Sequence, residues 1–414
     1  MIDEIIKENI IDRTFYTSRI QKYLWSPVIK VLVWQRRVWK SYILKGIIKH
    51  LVQTNKMSKD NIFYINKELP VFDNVKNYED LKDKFSTFKE GKSSGKIFIG
   101  IDEVQEITGW EKFINWLLAE YGENIEIFIT GSNSSLLSSE LATYISGRYI
   151  EFHILSLSFD EFCTFKNNAA HTQANFLEYL KYGWLPGIFR MQWDDETIFH
   201  YLRWVYNTIV LKDIISHNNI KNTNFFEELY KFSLSNIGSV FSAKSISDYL
   251  KSQKIKISVD SVLNYLKYAE DSFLLNKIYS VSPETKKIFE IYNKYYVGDI
   301  WLRNSLVWFD LKKDIGKLME NYAFLELKRH WYAIRIGRLS SWKEIDFIAE
   351  KNGITKYFQV CYLLSGEETI KREYSSLEEV RDNWEKYVVS FDEINFWVSG
   401  WIKHLNIMHM SEVL

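Results

Sequence analysis

Ile29-Lys30-Val31-Leu32-Val33-Trp34-Gln35-Arg36-Arg37-Val38-Trp39-Lys40-Ser41 is the stretch that decides how this chain is read. An apolar run of strand character, Ile29 to Val33, leads through a short loop to Lys40-Ser41, and a helical pattern follows over residues 42–52. Strand, loop, Lys-Ser and helix form the frame of a phosphate-binding loop, G-x-x-x-x-G-K-[ST]. Lys40 is placed to neutralise the β- and γ-phosphates, and the Ser41 hydroxyl to help hold Mg²⁺. Both glycine places hold tryptophan, Trp34 and Trp39. Glycine lets such a loop take positive φ and bring its N–H groups against phosphate. A tryptophan forced into the left-handed region costs roughly 1–2 kcal/mol, and its indole fills the space the phosphates need.

Working outward, further short apolar runs lie at 61–65, 96–101, 125–129 and 149–154. Helical stretches near 78–88, 110–121 and 138–145 separate them, and residues 1–25 read as a helical segment ahead of them. This alternation predicts an α/β domain with a parallel sheet. Ligands of such sheets sit just beyond the strand C-termini, and the remaining motifs fall there. The 96–101 run ends in Asp102-Glu103, a Walker B arrangement. Asp102 would hold Mg²⁺, and Glu103 would orient or deprotonate the attacking water. The 125–129 run ends in Thr130-Gly131-Ser132-Asn133, where Ser132 or Asn133 can sense a γ-phosphate. Gly147-Arg148 follows, and Arg148 is a candidate arginine finger acting across a subunit interface. Each pair alone is common. The three in order, each at a strand end, predict a P-loop ATPase domain of the AAA+ (ASCE) type with ATP and Mg²⁺ as its ligands.

Bulk composition narrows the class. Lys+Arg and Asp+Glu are both 53, so the formal charge is zero. That excludes a strongly basic nucleic-acid binder while leaving room for a local basic patch. With 414 residues, 46% of them apolar, two or three domains are expected. Cys163 and Cys361 form no CxxC and no metal-ligand spacing, which fits a reducing, cytoplasmic setting. His171, His200 and His217 show no ligand spacing either. Met1-Ile2-Asp3-Glu4 is acidic and amphipathic rather than a secretory leader. No run of about 18 apolar residues predicts a membrane span.

Several motifs together carry a family resemblance. They are the Arg36-Arg37 phosphate loop, Asp102-Glu103-Val104-Gln105, Thr130-Gly131-Ser132-Asn133, Ser146-Gly147-Arg148 and Leu157-Ser158-Phe159-Asp160-Glu161-Phe162. In the second half Lys212-Asp213-Ile214, Glu320-Asn321, Glu344-Ile345-Asp346-Phe347, Gln359-Val360, Glu368-Thr369 and Arg372-Glu373 extend it. The chain resembles the bacterial and archaeal AAA-family ATP-binding proteins that carry a C-terminal domain of unknown function with a restriction-endonuclease-like part. The resemblance covers nearly the whole chain. It implies a nucleotide site built from Trp34, Gln35, Arg36, Arg37, Val38, Trp39, Lys40 and Ser41, with Ser41 and Asp102 on the metal.

The resemblance also shows where glycine belongs. The family has glycine at the places of Trp34 and Trp39, a Gly-Gly-Leu-Pro turn at Gly183-Trp184-Leu185-Pro186, and Asp-x-Gly-Leu-Arg at Asp299-Ile300-Trp301-Leu302-Arg303. Trp308, Trp331, Trp342 and Trp401 also fall where similar proteins carry glycine, whereas Trp110 and Trp116 read as ordinary helix residues. Glycine is scarce here, 17 residues, and tryptophan is abundant, 15. Reassigning eight tryptophans would bring glycine to about 6%, near its average of ≈ 7%. One base separates the glycine codon GGA from UGA, and some bacterial lineages read UGA as glycine. Translation of such codons as tryptophan would write this pattern. The rival is a pseudo-ATPase with a blocked loop.

In the C-terminal half, Glu320, Glu344, Asp346 and Gln359 are candidates for a vestigial nuclease site. Restriction-type nucleases need an aspartate, a second acid and a lysine to bind Mg²⁺ and activate water. Here neutral Gln359 stands for a carboxylate and Cys361 for the lysine. Residues 242–280 read as winged-helix-like, with helices at 245–250 and 258–267 and a β-like stretch at 273–279. Lys244, Lys251, Lys254, Lys256 and Lys267 there could meet DNA phosphates, or form a solvated face with Asp248, Asp260, Glu270 and Asp271. The expected organisation is an AAA+ domain (1–160), a helical and winged-helix-like region (161–283), and a nuclease-like α/β domain (284–414). The expected function is ATP hydrolysis that switches domain or partner contacts, with a homo-oligomer, a protein or DNA as candidate partners and no membrane. A non-hydrolysing scaffold and a Mg²⁺ nuclease are the alternatives.

Overall fold

The structure is a computed structural model. It describes residues 1–90, 95–132, 145, 147–167, 169–209, 214, 215, 218, 220, 222–252, 254, 255, 257–307, 310–393 and 401–414. Asn133, Ser146, Lys212, Asp213, His217, Lys256, Trp308 and nearly all of the helix expected at 138–145 lie outside them. The chain divides into two compact units, Met1–Ile154 and Leu155–Leu414.

The first unit runs α1 (Ile2–Lys7), α2 (Thr14–Gln21), β1 (Ile29–Val33), α3 (Lys40–Gln53), β2 (Ile62–Asn66), α4 (Tyr78–Lys89), β3 (Ile97–Asp102), α5 (Trp110–Tyr121), β4 (Ile125–Gly131) and β5 (Tyr149–His153). Strands β1 to β4 are buried along their whole length, as their unbroken apolar runs require. All five strands are parallel, in the order β2-β3-β4-β1-β5. Local signals set the helix ends. Asn77 and Asp80 close a capping box on α4. On the apolar faces, Phe85 of α4 and Phe113 of α5 pack edge-on, and both touch Phe63 of β2.

The order matters for function. Strand β4 lies between β1 and β3. The residues that end β4 are therefore brought between the loop leaving β1 and the acidic pair ending β3.

The second unit begins with α6 (Phe159–Phe165), whose Ser158-x-x-Glu161 capping box is formed in both directions. Helices α7 (Gln173–Tyr182), α8 (Asp195–Ile209), α9 (Thr223–Ser235), α10 (Ala243–Ser252) and α11 (Val259–Asp271) follow. Next come β6 (Leu275–Val281), β7 (Ile288–Val297), α12 (Ile300–Leu306), α13 (Leu311–Arg329), β8 (Ala333–Arg338), β9 (Glu344–Lys351), β10 (Ile354–Val360), α14 (Glu367–Glu378), β11 (Glu385–Ser390) and β12 (Ile402–Asn406). These strands form one mixed sheet in the order β12-β11-β10-β9-β8-β6-β7. The strand expected at 273–279 starts two residues later. Phe273 takes a left-handed φ of 57° and turns the chain out of α11 before β6 can begin. Among the described residues, no helix is long and apolar enough to cross a membrane.

Candidate nucleotide site

At the C-terminal edge of the parallel sheet the loop leaving β1 is held from inside by its own lysine. Lys40 donates to the carbonyls of Trp34 (2.9 Å) and Gln35 (2.8 Å), and its ammonium lies 3.8 Å from Glu103 Oε1. Arg13, buried ahead of α2, donates to the Val38 carbonyl at 3.0 Å. Arg36 points inward too. Its guanidinium is 3.3 Å from Glu68, 3.4 Å from Glu106 and 3.9 Å from Glu103.

Asp102 and Glu103 are both buried. The Thr130 hydroxyl joins them: it accepts from the Glu103 N–H at 3.0 Å and donates to Asp102 Oδ1. Tyr64 of β2 donates to the other Asp102 oxygen at 3.4 Å. Glu103 has a left-handed backbone, φ 56°, which turns its carboxylate out of the strand toward the loop. Gln105 donates to that carboxylate and also to Ser132 Oγ at 3.1 Å. The structure thus brings Lys40, Arg36, Asp102, Glu103 and Ser132 together. Arg148 is elsewhere. Its carbonyl accepts from Ile29 N at the start of β1, so it lies at the opposite sheet edge from its own chain's loop.

The proton affinities of the two acids shift in opposite directions. Burial and the neighbouring Glu103 push Asp102 up to about 6, against the pull of the Ser41 and Thr130 hydroxyls and Lys40. Burial also pushes Glu103 up, but Lys40 and Arg36, helped by Gln105 and Ser132, outweigh it and leave Glu103 below the usual range. Asp102 and Ser41 offer only oxygen donors, and Asp102 is a buried carboxylate short of positive charge. That donor chemistry fits Mg²⁺, which keeps several waters and binds through one or two protein oxygens plus phosphate. Among the described residues, no three His, Cys, Asp or Glu side chains form a metal cage. A cage is not what a shared nucleotide–Mg²⁺ site requires.

The backbone at the tryptophans is informative. Trp25, Trp39, Trp331 and Trp342 have φ of 64°, 68°, 63° and 65°, and Trp34 has φ 158° at the extended margin. Left-handed φ is rare for bulky residues, yet four of the thirteen tryptophans among the described residues adopt it. Each sits where glycine is the ordinary solution. Trp39 caps the start of α3 without a side-chain hydrogen bond. Trp331 follows the C-cap of α13, where Tyr332 N reaches back to Leu327 O as in a Schellman turn. Trp342 holds the left-handed place of the tight β8–β9 hairpin, closed by Leu339 N to Lys343 O. Trp25 ends the turn before β1, and its N–H donates to Glu126. Trp184 and Trp301 have no positive φ. Instead a Cβ on Gly183 would come within 2.4 Å of Trp301 Cβ, so two backbones meet there, and both indole N–H groups are buried without an acceptor. Trp110 and Trp116 lie in α5 as expected.

A second cluster lies in the mixed sheet. Glu320 of α13 and Glu344 and Asp346 of β9 surround the Lys294 ammonium of β7 at 2.8, 2.6 and 3.5 Å. Gln359 is beside them, accepting from Asp346 N at 3.4 Å and donating to Glu373 at 3.2 Å. Burial, Glu320 and Glu344 push Asp346 up to about 8 against Lys294 and the Val360 amide. Burial would lower Lys294, but the three carboxylates raise it instead. Sequence reasoning put the missing lysine at Cys361, which is a buried thiol pushed well above its usual range. Lys294, between tyrosines on a strand of unremarkable pattern, gave no signal of its own. The basic residues near α10 and α11 lean toward a solvated face: Lys251 lies 3.7 Å from Asp248 and Lys267 2.8 Å from Asp271.

The five-stranded order, the loop after β1 and the acids after β3 make the first unit an AAA-type P-loop ATPase fold, which implies nucleotide binding. Comparison agrees. Residues 26–163 match the family described as AAA domain, and residues 173–315 match one described as a domain of unknown function (DUF8612). A solved Walker-type ATPase of Pyrococcus abyssi shares the fold at a TM-score of 0.50 and 18% identity, over 72% of this chain and 97% of that one. A protein of Haemophilus influenzae described as uncharacterized is 33% identical, over 92% of this chain and 93% of its own. Another from Methanocaldococcus jannaschii is 31% identical over 89% and 83%. The chain belongs to the family of AAA-domain proteins that these two relatives represent.

Proposed function

We propose that this chain binds ATP and hydrolyses it with Mg²⁺, and that the cycle switches contacts between its domains or with a partner. The observation that carries the reading is the meeting of Lys40, Asp102, Glu103 and Ser132 at one sheet edge. Lys40 would bind the β- and γ-phosphates, and Ser41 and Asp102 would hold Mg²⁺, which when bound screens phosphate charge. Glu103 would orient the water and take its proton. Ser132 would report the γ-phosphate through Gln105. Asn133 and, from a neighbouring copy, Arg148 are proposed to complete the site. Residues 1–160 would be the ATPase domain, 161–283 the helical and winged-helix-like region, and 284–414 the nuclease-like domain.

The reading requires glycine at 34 and 39 in the cell. The left-handed backbone of Trp39, Trp331 and Trp342 supports it, because three unrelated local motifs that favour glycine all carry the same bulky residue. Mass spectrometry of the protein from its own host should find glycine at 34, 39, 331 and 342 and tryptophan at 110. Tryptophan throughout would move the reading to a nucleotide-free scaffold. With that chain, Glu103→Gln should bind ATP and lose turnover; unchanged turnover would remove the assignment of Glu103.

Lys294 favours a second reading of the mixed sheet. It supplies the lysine that Cys361 lacks, so Glu320, Glu344, Asp346, Gln359 and Lys294 together have the composition of a Mg²⁺-dependent nuclease site. DNA nicking that survives Lys40→Ala but not Asp346→Ala would support it. Nicking lost equally in both variants would count against it.

A further inference from the structure

Arg36 stands out in the phosphate loop. Its neighbour Arg37 is exposed with a left-handed φ of 65°. Arg36 is 8% exposed and turned inward onto three carboxylates, Glu68, Glu106 and Glu103. Two of the three are rim residues, with Glu68 55% and Glu106 40% exposed. Water can solvate those two when a partner leaves. Glu103 is buried and depends on its partners. Lys40 bonds to the Trp34 and Gln35 carbonyls, and in the nucleotide reading it serves the β-phosphate as well as the γ-phosphate, so a diphosphate engages it too. Arg36 can therefore release two of these carboxylates to water when a new partner arrives.

We propose that Arg36 is the residue by which the site distinguishes a nucleoside triphosphate from a diphosphate: it holds Glu103 until a γ-phosphate arrives, then exchanges that carboxylate for the phosphate. The inference rests on the nucleotide reading above. A γ-phosphate entering beside Glu103, Glu68 and Glu106 meets repulsion that only a nearby cation offsets. A planar guanidinium with five donors matches phosphate oxygens as well as it matches a carboxylate. A diphosphate ends short of the exchange, so Arg36 stays on Glu103. The triphosphate alone draws Arg36 away and leaves the Glu103 carboxylate to accept from water. A ligand shifts such an equilibrium only by its differential affinity for the two arrangements, and the γ-phosphate–Arg36 contact is that difference.

The test is titration of the full chain carrying Trp34→Gly and Trp39→Gly with ADP and with a non-hydrolysable ATP analogue. Arg36→Ala should shrink the preference for the triphosphate by about 10- to 100-fold, the loss of one charge-assisted partner. Arg36→Lys should keep part of it. A variant that weakens both nucleotides equally, or neither, overturns the role of Arg36 while leaving the nucleotide reading intact. A parent chain that binds neither nucleotide overturns the nucleotide reading, and this inference with it. Melting of each variant without nucleotide separates a folding defect from lost selectivity.

Discussion

The pair Trp34→Gly and Trp39→Gly tests the central claim, because the structure assigns the two substitutions different costs. At Trp39 the change relieves a left-handed strain of roughly 1–2 kcal/mol. It gives up a stack on Tyr42 at 4.3 Å, a contact type of about 0.5–1.5 kcal/mol. It also adds glycine's extra chain entropy, about 0.5–1 kcal/mol. The net is near zero. At Trp34 the indole is fully buried, and its removal leaves a cavity costing about 3–5 kcal/mol. The first unit, Met1–Ile154, is near the size at which 1 kcal/mol moves the melting temperature by about 2–4 °C. Without nucleotide, Trp39→Gly should melt with the parent, and any variant with Trp34→Gly about 6–20 °C lower. A loop that binds phosphate would then use the vacated space. A non-hydrolysable ATP analogue with Mg²⁺ at a hundred times its Kd should return about 2.7 kcal/mol, or roughly 5–11 °C, to the double variant. Calorimetric or fluorescence melting of the four chains, with and without the analogue, reads both effects. The reasoning is refuted if the double variant shows no nucleotide-dependent shift, or if the tryptophan chain shows the same one.

Two further outcomes follow from other parts of the molecule. Trp342→Gly should change stability by no more than about 1 kcal/mol, because relief of left-handed strain offsets glycine's entropy at a largely exposed site. Trp110→Gly, in the buried start of α5, should cost about 3–5 kcal/mol when both variants are titrated with urea; equal costs would sink the backbone argument. The second prediction concerns Asp299, which accepts from Trp184 N and Trp301 N, both at 3.2 Å, and is pushed by burial up to about 7. Its folded pKa is raised, so the folded state holds the extra proton, and stability falls as pH rises from about 4 to about 7. Asp299→Asn keeps the acceptor and the helix cap, so the difference in melting temperature between variant and parent should widen from pH 5 to pH 8; a constant difference would reject the shift.

Much of the first unit was legible because its signals are local. Buried parallel strands are continuous apolar runs, and the runs at 29–33, 96–101 and 125–129 became β1, β3 and β4 within two residues at either end. The Lys40-Ser41 and Asp102-Glu103 pairs lie where strand ends must place them. What the sequence did not disclose is whatever depends on register between distant elements. Thr130 as the bridge between Asp102 and Glu103 needs β4 beside β3 in one alignment, Ile101 opposite Ile129. Lys294 meets Asp346 only because β7 and α13 converge on β9, and Arg13 reaches the Val38 carbonyl from 25 residues upstream. None of these side chains is unusual for its place in the chain. The tryptophans are the opposite case: conspicuous in the sequence, where motifs already place glycine at several of them, and marked a second time, independently, by the backbone. Composition marked them all alike, whereas φ separates Trp39, Trp331 and Trp342 from Trp110 and Trp116, and adds Trp25, which no motif had singled out. A left-handed φ at a cap, a Schellman turn and a hairpin turn is a requirement of the fold, independent of which residue is written there. That independence is why backbone conformation, more than the excess of tryptophan, carries the argument that several of these positions belong to glycine.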